Sequence, residues 1–155
     1  MIASDPVVTL RELRRVTVAG GRIVTALWAP VDANPWFALP RAAAAAAVVG
    51  LERADYARAF GRLGDPEQAT AVHRAAGLAD VQAETLRHTL DVQDAGALWT
   101  WMAGENGHVR RLDATLSVSE RAAVLVELDR LVAGSRTHDG SLALPRVMTL
   151  VTATV

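Results

Sequence analysis

The sequence contains no cysteine and no lysine, and all sixteen of its basic residues other than histidine are arginine. Without cysteine the chain can form no disulfide, no thiolate nucleophile and no cysteine-ligated metal site. Without lysine it cannot use Schiff-base chemistry or a lysine general base. These absences exclude several common classes of enzyme before any motif is considered.

Long apolar runs and an excess of one charge are also missing. Apolar residues make up 51% of the 155 residues, yet no run approaches the ~20 residues that span a bilayer. The net charge is −1 with both signs interspersed, whereas a nucleic-acid-binding domain shows a basic face. The first residues lack the basic and apolar regions of a signal peptide. We therefore expect one cytoplasmic domain over residues 1–155 that binds neither nucleic acid nor membrane.

Local signals predict a series of helices and strands. Asp5-Pro6 is typical of a helix start, and Gly20-Gly21 is expected to break that helix before a strand over Arg22 to Ala29. Further helices are predicted over about 41–49, 53–60, 65–77, 94–103 and 117–134, and further strands over 81–92 and 144–155. Residues 104–107 are predicted to form a turn. The expected fold is α/β, with about three strands and five to six helices.

The order of these motifs resembles the C-terminal half of a class I S-adenosylmethionine-dependent methyltransferase. The resemblance is carried by residues 5–16, Gly20-Gly21-Arg22-Ile23-Val24, Trp28-Ala29-Pro30, Asn34-Pro35-Trp36 and residues 75–81. It covers essentially the whole chain. It implies a truncated, Rossmann-like methyltransferase fold.

The cofactor-binding part of that family has no counterpart here. In the family a glycine-rich turn follows the first strand, because the backbone must approach the ligand closely there. No G-x-G follows a predicted strand in this sequence, and no acidic residue stands where the family binds the ribose. The four histidines also lack a close metal-binding spacing. We expect the chain to bind neither S-adenosylmethionine nor any other cofactor, and no metal.

Truncation of the fold predicts self-association. The strand over Arg22 to Ala29 is internal in the complete family fold and becomes an edge strand when its neighbour is missing. Its residues are apolar on both faces, and an uncovered apolar edge promotes aggregation. A homodimer that covers this edge is therefore expected.

The resemblance also suggests a substrate pocket, because in related methyltransferases the loop after this strand and the following helices shape the acceptor site. By position the predicted substrate-binding residues are Trp28, Asn34, Trp36, Phe37, Tyr56, Trp99, Trp101 and Met102. Apolar and aromatic linings of this kind are typical of ligand pockets. The alternative is that the same bulky residues form the hydrophobic core.

Catalytic residues are harder to predict from this sequence. His88, Tyr56 and Arg146 are the candidates, His88 because it alternates with Leu86 and Leu90 on one strand face. A structural, hydrogen-bonded role is the alternative for His88. His73 and His138 are expected to be solvated.

These features favour a cofactor-independent cyclase on a methyltransferase-derived scaffold. Cyclisation of a hydrophobic, polyketide-like substrate, including a pericyclic reaction, needs a shaped apolar cavity more than a nucleophile. The alternative is a non-catalytic partner or ligand-binding subunit of a methyltransferase.

Overall fold

The computed structural model describes residues 5–51 and 61–155. These residues form six α-helices, α1 (Pro6–Val16), α2 (Leu39–Ala47), α3 (Pro66–Ala75), α4 (Ala95–Glu105), α5 (Gly107–Asp113) and α6 (Val118–Val132). They also form three strands, β1 (Arg22–Trp28), β2 (Ala79–Val92) and β3 (Leu142–Thr154). The mixed α/β class is confirmed. The helix predicted over 53–60, with Tyr56, lies outside the described residues.

The three strands form one antiparallel sheet in the order β1-β3-β2. The register between β1 and β3 is uninterrupted, from Arg22 opposite Thr154 to Trp28 opposite Met148. A doubly wound fold is built on a mostly parallel sheet. A Rossmann-like identity is therefore not shown, and the antiparallel order does not favour it.

Side-chain caps begin α1 and α6 where the sequence predicts these helices to start. Asp5 Oδ1 accepts hydrogen bonds from the backbone amides of Val7 and Val8 at the start of α1. Ser117 and Glu120 form a complete capping box at the start of α6. Such caps satisfy amide donors that have no partner inside the helix. None of the helices in the described ranges is long and apolar enough to cross a membrane.

Helix α5 is the element that the sequence reading missed. Residues 104–107 were expected to form a turn, but α4 continues to Glu105 and α5 begins at Gly107. Asn106 lies between them, and its side-chain oxygen accepts hydrogen bonds from the amides of His108 and Val109. Turns and helix N-caps favour the same residue types, because in both a short polar side chain forms hydrogen bonds with nearby backbone groups.

The Gly20-Gly21 turn precedes β1 and is hydrogen-bonded to the residue that follows β3. Gly20 has a φ of 74°, a left-handed conformation that favours glycine. Its amide donates to the carbonyl of Val155 at 2.9 Å, and the Val155 amide donates to the carbonyl of Gly21 at 2.9 Å. The turn therefore sets the register of the β1–β3 pair.

The chain divides into two compact units. The first contains residues 1–30, 60–87 and 147–155, with α1, β1, α3, the first part of β2 and most of β3. Its core is a cluster of buried side chains from these elements, namely Leu10, Ile23, Ala76, Leu78 and Ala153. Helices α1 and α3 pack together in this unit.

The second unit contains residues 31–59 and 88–146 and is mainly helical. Helix α6 packs on α2 and α4, and α4 packs on α5. Ala43 and Ala44 are fully buried on α2, as are Val124 and Leu128 on α6. Because alanine has a small side chain, the alanine-rich helix α2 can lie close against α6.

Arginine side chains complete the carboxyl ends of two helices. In the first unit Arg11 of α1 donates to the carbonyl of Ala75, the last residue of α3. In the second unit Arg110 of α5 donates to the carbonyls of Ala103 and Gly104 in the last turn of α4. The last carbonyls of a helix have no partner within it, so these bonds satisfy groups that would otherwise need water.

Candidate functional site

Three aromatic side chains of the second unit contact one another, and we call Trp36, Phe37 and Trp101 the aromatic group. The ring centroids of Trp36 and Trp101 are 5.4 Å apart with planes at 65°. Those of Trp36 and Phe37 are 5.9 Å apart with planes at 84°. Edge-to-face contacts at these distances are favourable, because the positive ring edge meets the negative ring face. The chain thus brings residues 36–37 and 101 together although they are distant in sequence.

The aromatic group is held in place from the loop after β1. Trp36 lies in a short 3₁₀ helix (Pro35–Phe37), and its Nε1 donates to Oδ1 of Asn34 at 3.2 Å. Asn34 and Trp36 are both buried. Phe37 and Trp101 are half-buried, so each residue keeps part of its surface accessible. The group therefore has a rigid base and an accessible side.

Trp99 and Met102, also predicted to bind substrate, lie in the interior of the second unit. Both are almost completely buried. Trp99 Nε1 donates to Oδ1 of Asp113 at 2.7 Å, and Arg121 Nε donates to the same oxygen at 2.8 Å. Burial raises the pKa of Asp113, but the hydrogen bonds from Arg121 and Trp99 outweigh it and leave that pKa below the ordinary value. These contacts are what core packing requires of a buried indole.

The remaining predicted residues are distributed over other elements. Trp28 is half-buried at the end of β1 in the first unit. Of the three catalytic candidates, His88 is exposed on β2, Arg146 is half-buried on β3, and Tyr56 lies outside the described residues. Contacts therefore link three predicted positions to Trp36, namely Asn34, Phe37 and Trp101. The roles of all these residues in binding or catalysis stay predictions.

His73 was expected to be solvated, and this prediction is wrong. His73 is 2% exposed and lies on α3 with the buried Ala69, and Ala76, directly after the helix, is buried as well. Its Nδ1 is 2.7 Å from the carbonyl oxygen of Ala69 and its Nε2 is 2.9 Å from Oγ1 of Thr25. Because a carbonyl only accepts, Nδ1 carries the hydrogen, and in the neutral imidazole Nε2 accepts from the Thr25 hydroxyl.

A hydroxyl bonded to an oriented imidazole has the geometry of an activated nucleophile. Thr25, however, follows Ile23 on the strand face that packs into the core of the first unit. A structural hydrogen bond between β1 and α3 is the role that this position favours. The spacing of His73 four residues after Ala69 and three before Ala76, on one helix face, was the signal that could have indicated its burial.

Removing either partner of the Thr25–His73 bond should destabilise the first unit. Replacing Thr25 with valine leaves the buried His73 without its hydroxyl partner, and replacing His73 with leucine leaves the half-buried Thr25 hydroxyl without its own, each at a cost of about 1–3 kcal/mol. The double variant should cost less than the sum, with a coupling free energy of roughly 1 kcal/mol in chemical denaturation. His138→Leu, at an exposed histidine, is the control and should change stability by less than about 0.5 kcal/mol. Additive single effects would contradict the bond.

A groove in the first unit contains none of the predicted site residues. A shallow groove of about 390 Å³ in the first unit is lined by Pro66, Glu67, Thr70, Ala71, Arg74, Val81 and Ala83, none of which was predicted to bind substrate. In the part of the chain that the structure describes, no three histidine, aspartate or glutamate side chains are grouped to hold a metal ion. No protein-family model matches the sequence, and no curated protein matches it either.

Proposed function

We propose that the protein binds a hydrophobic small molecule at the aromatic group and acts on it as a cofactor-independent cyclase. The observation that supports this is the contact of the buried Trp36 with Trp101 and Phe37, which are both only half-buried. Aromatic side chains offer large apolar area with few rotatable bonds, so little entropy is lost when they bind an apolar ligand. A linear polyene of the polyketide class has the matching chemistry, because its extended π system packs against indole and phenyl rings.

The aromatic group would contribute positioning to such a reaction. A pericyclic cyclisation redistributes the π electrons of the substrate itself: each new carbon–carbon σ bond replaces one carbon–carbon π bond, and no nucleophile or leaving group takes part. The barrier then depends on how well the reacting carbons are held near each other. Trp36, anchored by Asn34, would hold the half-buried Phe37 and Trp101 in place, and a polyene could fold against these two residues.

We also propose the relationship to class I methyltransferases that the motifs suggest. It rests on the order of the motifs in the sequence. Sheets that combine a parallel arrangement with an antiparallel strand are common in α/β proteins, so the antiparallel β1–β3 pair is compatible with a remnant of such a fold. It does not favour that origin over an independent one.

Ligand binding by the aromatic group can be tested by replacing Trp101 with alanine. We expect the dissociation constant for a linear conjugated polyene, measured by titration calorimetry, to rise about 10-fold, because a large aromatic contact is lost. The rate of cyclised product formation, followed by chromatography against buffer alone, should fall at subsaturating substrate.

The matched control for Trp101→Ala is Val118→Ala, which removes an exposed apolar side chain of α6 outside the aromatic group. This variant should bind and turn over the polyene like the wild type. Unchanged affinity in the Trp101 variant would contradict binding at the aromatic group. Binding without any acceleration over buffer would leave a ligand-binding protein and contradict the cyclase.

A second candidate is a non-catalytic partner subunit of a methyltransferase. It is favoured by the fact that, among the described residues, the sheet ends at β1. The resemblance expects a further strand there, which an intact methyltransferase could supply. A stoichiometric complex with such an enzyme, found by affinity purification, would favour this candidate over the cyclase.

A further inference from the structure

The groove in the first unit has opposite charges at its two ends. Its volume is about 390 Å³, and every residue that lines it belongs to α3 or β2. Glu67 lines it from the first turn of α3, and Arg74 lines it from the last turn. Only residues 76–78 separate α3 from β2, so Arg74 lies at the end where β2 begins and Glu67 lies at the other end.

The two charges have a defined spacing along one helix face. Thr70 follows Glu67 by three residues and precedes Arg74 by four, so the three side chains are neighbours on the helix surface. Seven residues of α-helix separate the two charged positions by about 10 Å along the axis. Among the residues that the structure describes, neither Glu67 nor Arg74 forms an ion pair with another side chain. Both charges are therefore available to a ligand.

The strand side of the groove is apolar and anchored. Val81 is half-buried and packs against the buried cluster of the first unit. Ala83 is half-buried too and, two residues further along β2, lies on the same face of the strand. Both residues line the groove. A ligand therefore meets small apolar side chains between the two charged ends, an arrangement that is typical of sites with a few polar groups fixing the orientation.

We propose that this groove binds a short extended peptide of about three residues, with its carboxylate at Arg74 and its amino group at Glu67. An extended chain advances about 3.3 Å per residue, so three residues span the distance between the two charges. A guanidinium group binds a carboxylate through two parallel hydrogen bonds. The reverse orientation would place like charges together at both ends, which disfavours it. The Thr70 hydroxyl lies between the ends and can donate to or accept from the peptide backbone.

The groove also selects the side chains of the peptide. The first and third side chains of an extended chain point to the same side, so two small apolar ones can both contact Val81 and Ala83. A single free amino acid is too short to reach both charges. The expected ligand class is therefore zwitterionic peptides of small apolar residues. This site lies in the first unit and is independent of the ligand proposed for the aromatic group of the second unit.

The binding is tested by titrating the full chain with the tripeptide Val-Ala-Val while backbone amide resonances are followed by NMR. The amides of Val81 and Ala83 should shift and saturate. Amidation of the peptide carboxylate should raise the dissociation constant about 5-fold, and acetylation of its amino group should do the same, because each removes one charge contact. These two comparisons use the wild-type chain and do not depend on the folding of a variant.

Variants then assign each charge of the peptide to one side chain. Arg74→Gln should weaken the free tripeptide about 5-fold and should bind the acid and the amide equally. Glu67→Gln should bind the free and the acetylated peptide equally. Arg15→Gln is the matched control, because it removes the same charge from an exposed position of α1 outside the groove, and it should bind like the wild type.

Four outcomes would overturn the proposal. One is the absence of saturable shifts at Val81 and Ala83, including the case in which only resonances of the second unit respond. Another is an Arg74→Gln variant that still prefers the acid over the amide as strongly as the wild type does. A third is an equal effect of Arg15→Gln and Arg74→Gln on binding of the free tripeptide. The last is a free amino acid such as alanine binding as tightly as the tripeptide.

Discussion

Replacing Gly64 with alanine is expected to lower the free energy of unfolding by about 3–5 kcal/mol. A Cβ atom at this position would lie far inside 3.0 Å of the backbone carbonyl group of Trp28 at the end of β1. Backbone atoms of a paired strand cannot move aside as a flexible side chain can. The Gly64 carbonyl also accepts a hydrogen bond of 2.5 Å from the buried Thr149 hydroxyl, so the displaced segment would leave that group without its partner.

The matched control for Gly64→Ala is Gly104→Ala. Gly104 lies in α4, and a Cβ there would meet nothing within 4 Å. Alanine favours the helix over glycine by about 0.5–1 kcal/mol, so this variant should be as stable as the wild type or more so. Both can be measured by chemical denaturation of the purified chain. Equal stability of the two variants would contradict the close approach of Gly64 to β1.

Replacing Trp99 with alanine should cost about 3–5 kcal/mol, because it leaves a large cavity in the second unit. It also removes one of the two donors to Asp113 Oδ1. Trp99→Phe keeps most of the packing and removes only the hydrogen bond, so it should cost about 1–3 kcal/mol. Thermal and denaturant unfolding of both variants separate the packing contribution from the polar one. Similar losses in the two variants would contradict this division.

The Trp99–Asp113 hydrogen bond also predicts a pH dependence. The pKa of Asp113 in the folded chain is below its ordinary value of 3.8, so its carboxylate stabilises the fold above that pH. This contribution is lost as the pH falls from about 3.8 through the lower pKa of the folded state. In Trp99→Phe the pKa is lowered less, so less stability should be lost over this range. Asp113→Asn does not titrate and is the reference. Parallel stability–pH curves for the wild type and Trp99→Phe would contradict this prediction.

The sequence predicts those parts of the fold whose signals are local. Helix α1 has its cap and proline at residues 5 and 6, and α6 has a capping box, so both starts were predicted correctly. Strand β1 was predicted to within one residue from its apolar run after Gly21. Helix α5 was missed because an asparagine followed by a glycine indicates a turn and an N-cap equally well. The antiparallel pairing of β1 with β3 depends on residues more than 100 positions apart, which no local pattern specifies.

The candidate site was predictable only in part, for a related reason. A Trp or Met residue on an apolar helix is suited to a pocket and to a core alike, and the burial of Trp99 and Met102 is decided by which helices pack on α4. The contact between Trp36 and Trp101 joins a loop to a helix over 60 positions away. The requirement for glycine at position 64 could not be predicted from the sequence, because it comes from the close approach of the Trp28 carbonyl, which is distant in sequence.

Arginine side chains that bond to the last carbonyls of a neighbouring helix couple the formation of that helix to its packing against the neighbour. The carboxyl end of α3 is completed by Arg11 of α1, and that of α4 by Arg110 of α5. Short helices are marginal alone, because nucleating the first turn is costly. Each of these helices receives its last hydrogen bonds from a neighbouring helix. The stabilisation from these bonds is therefore present only when the neighbour is in place. Each unit should therefore form its helix pairs cooperatively, with the guanidinium contacts appearing late in folding, after the helices have met.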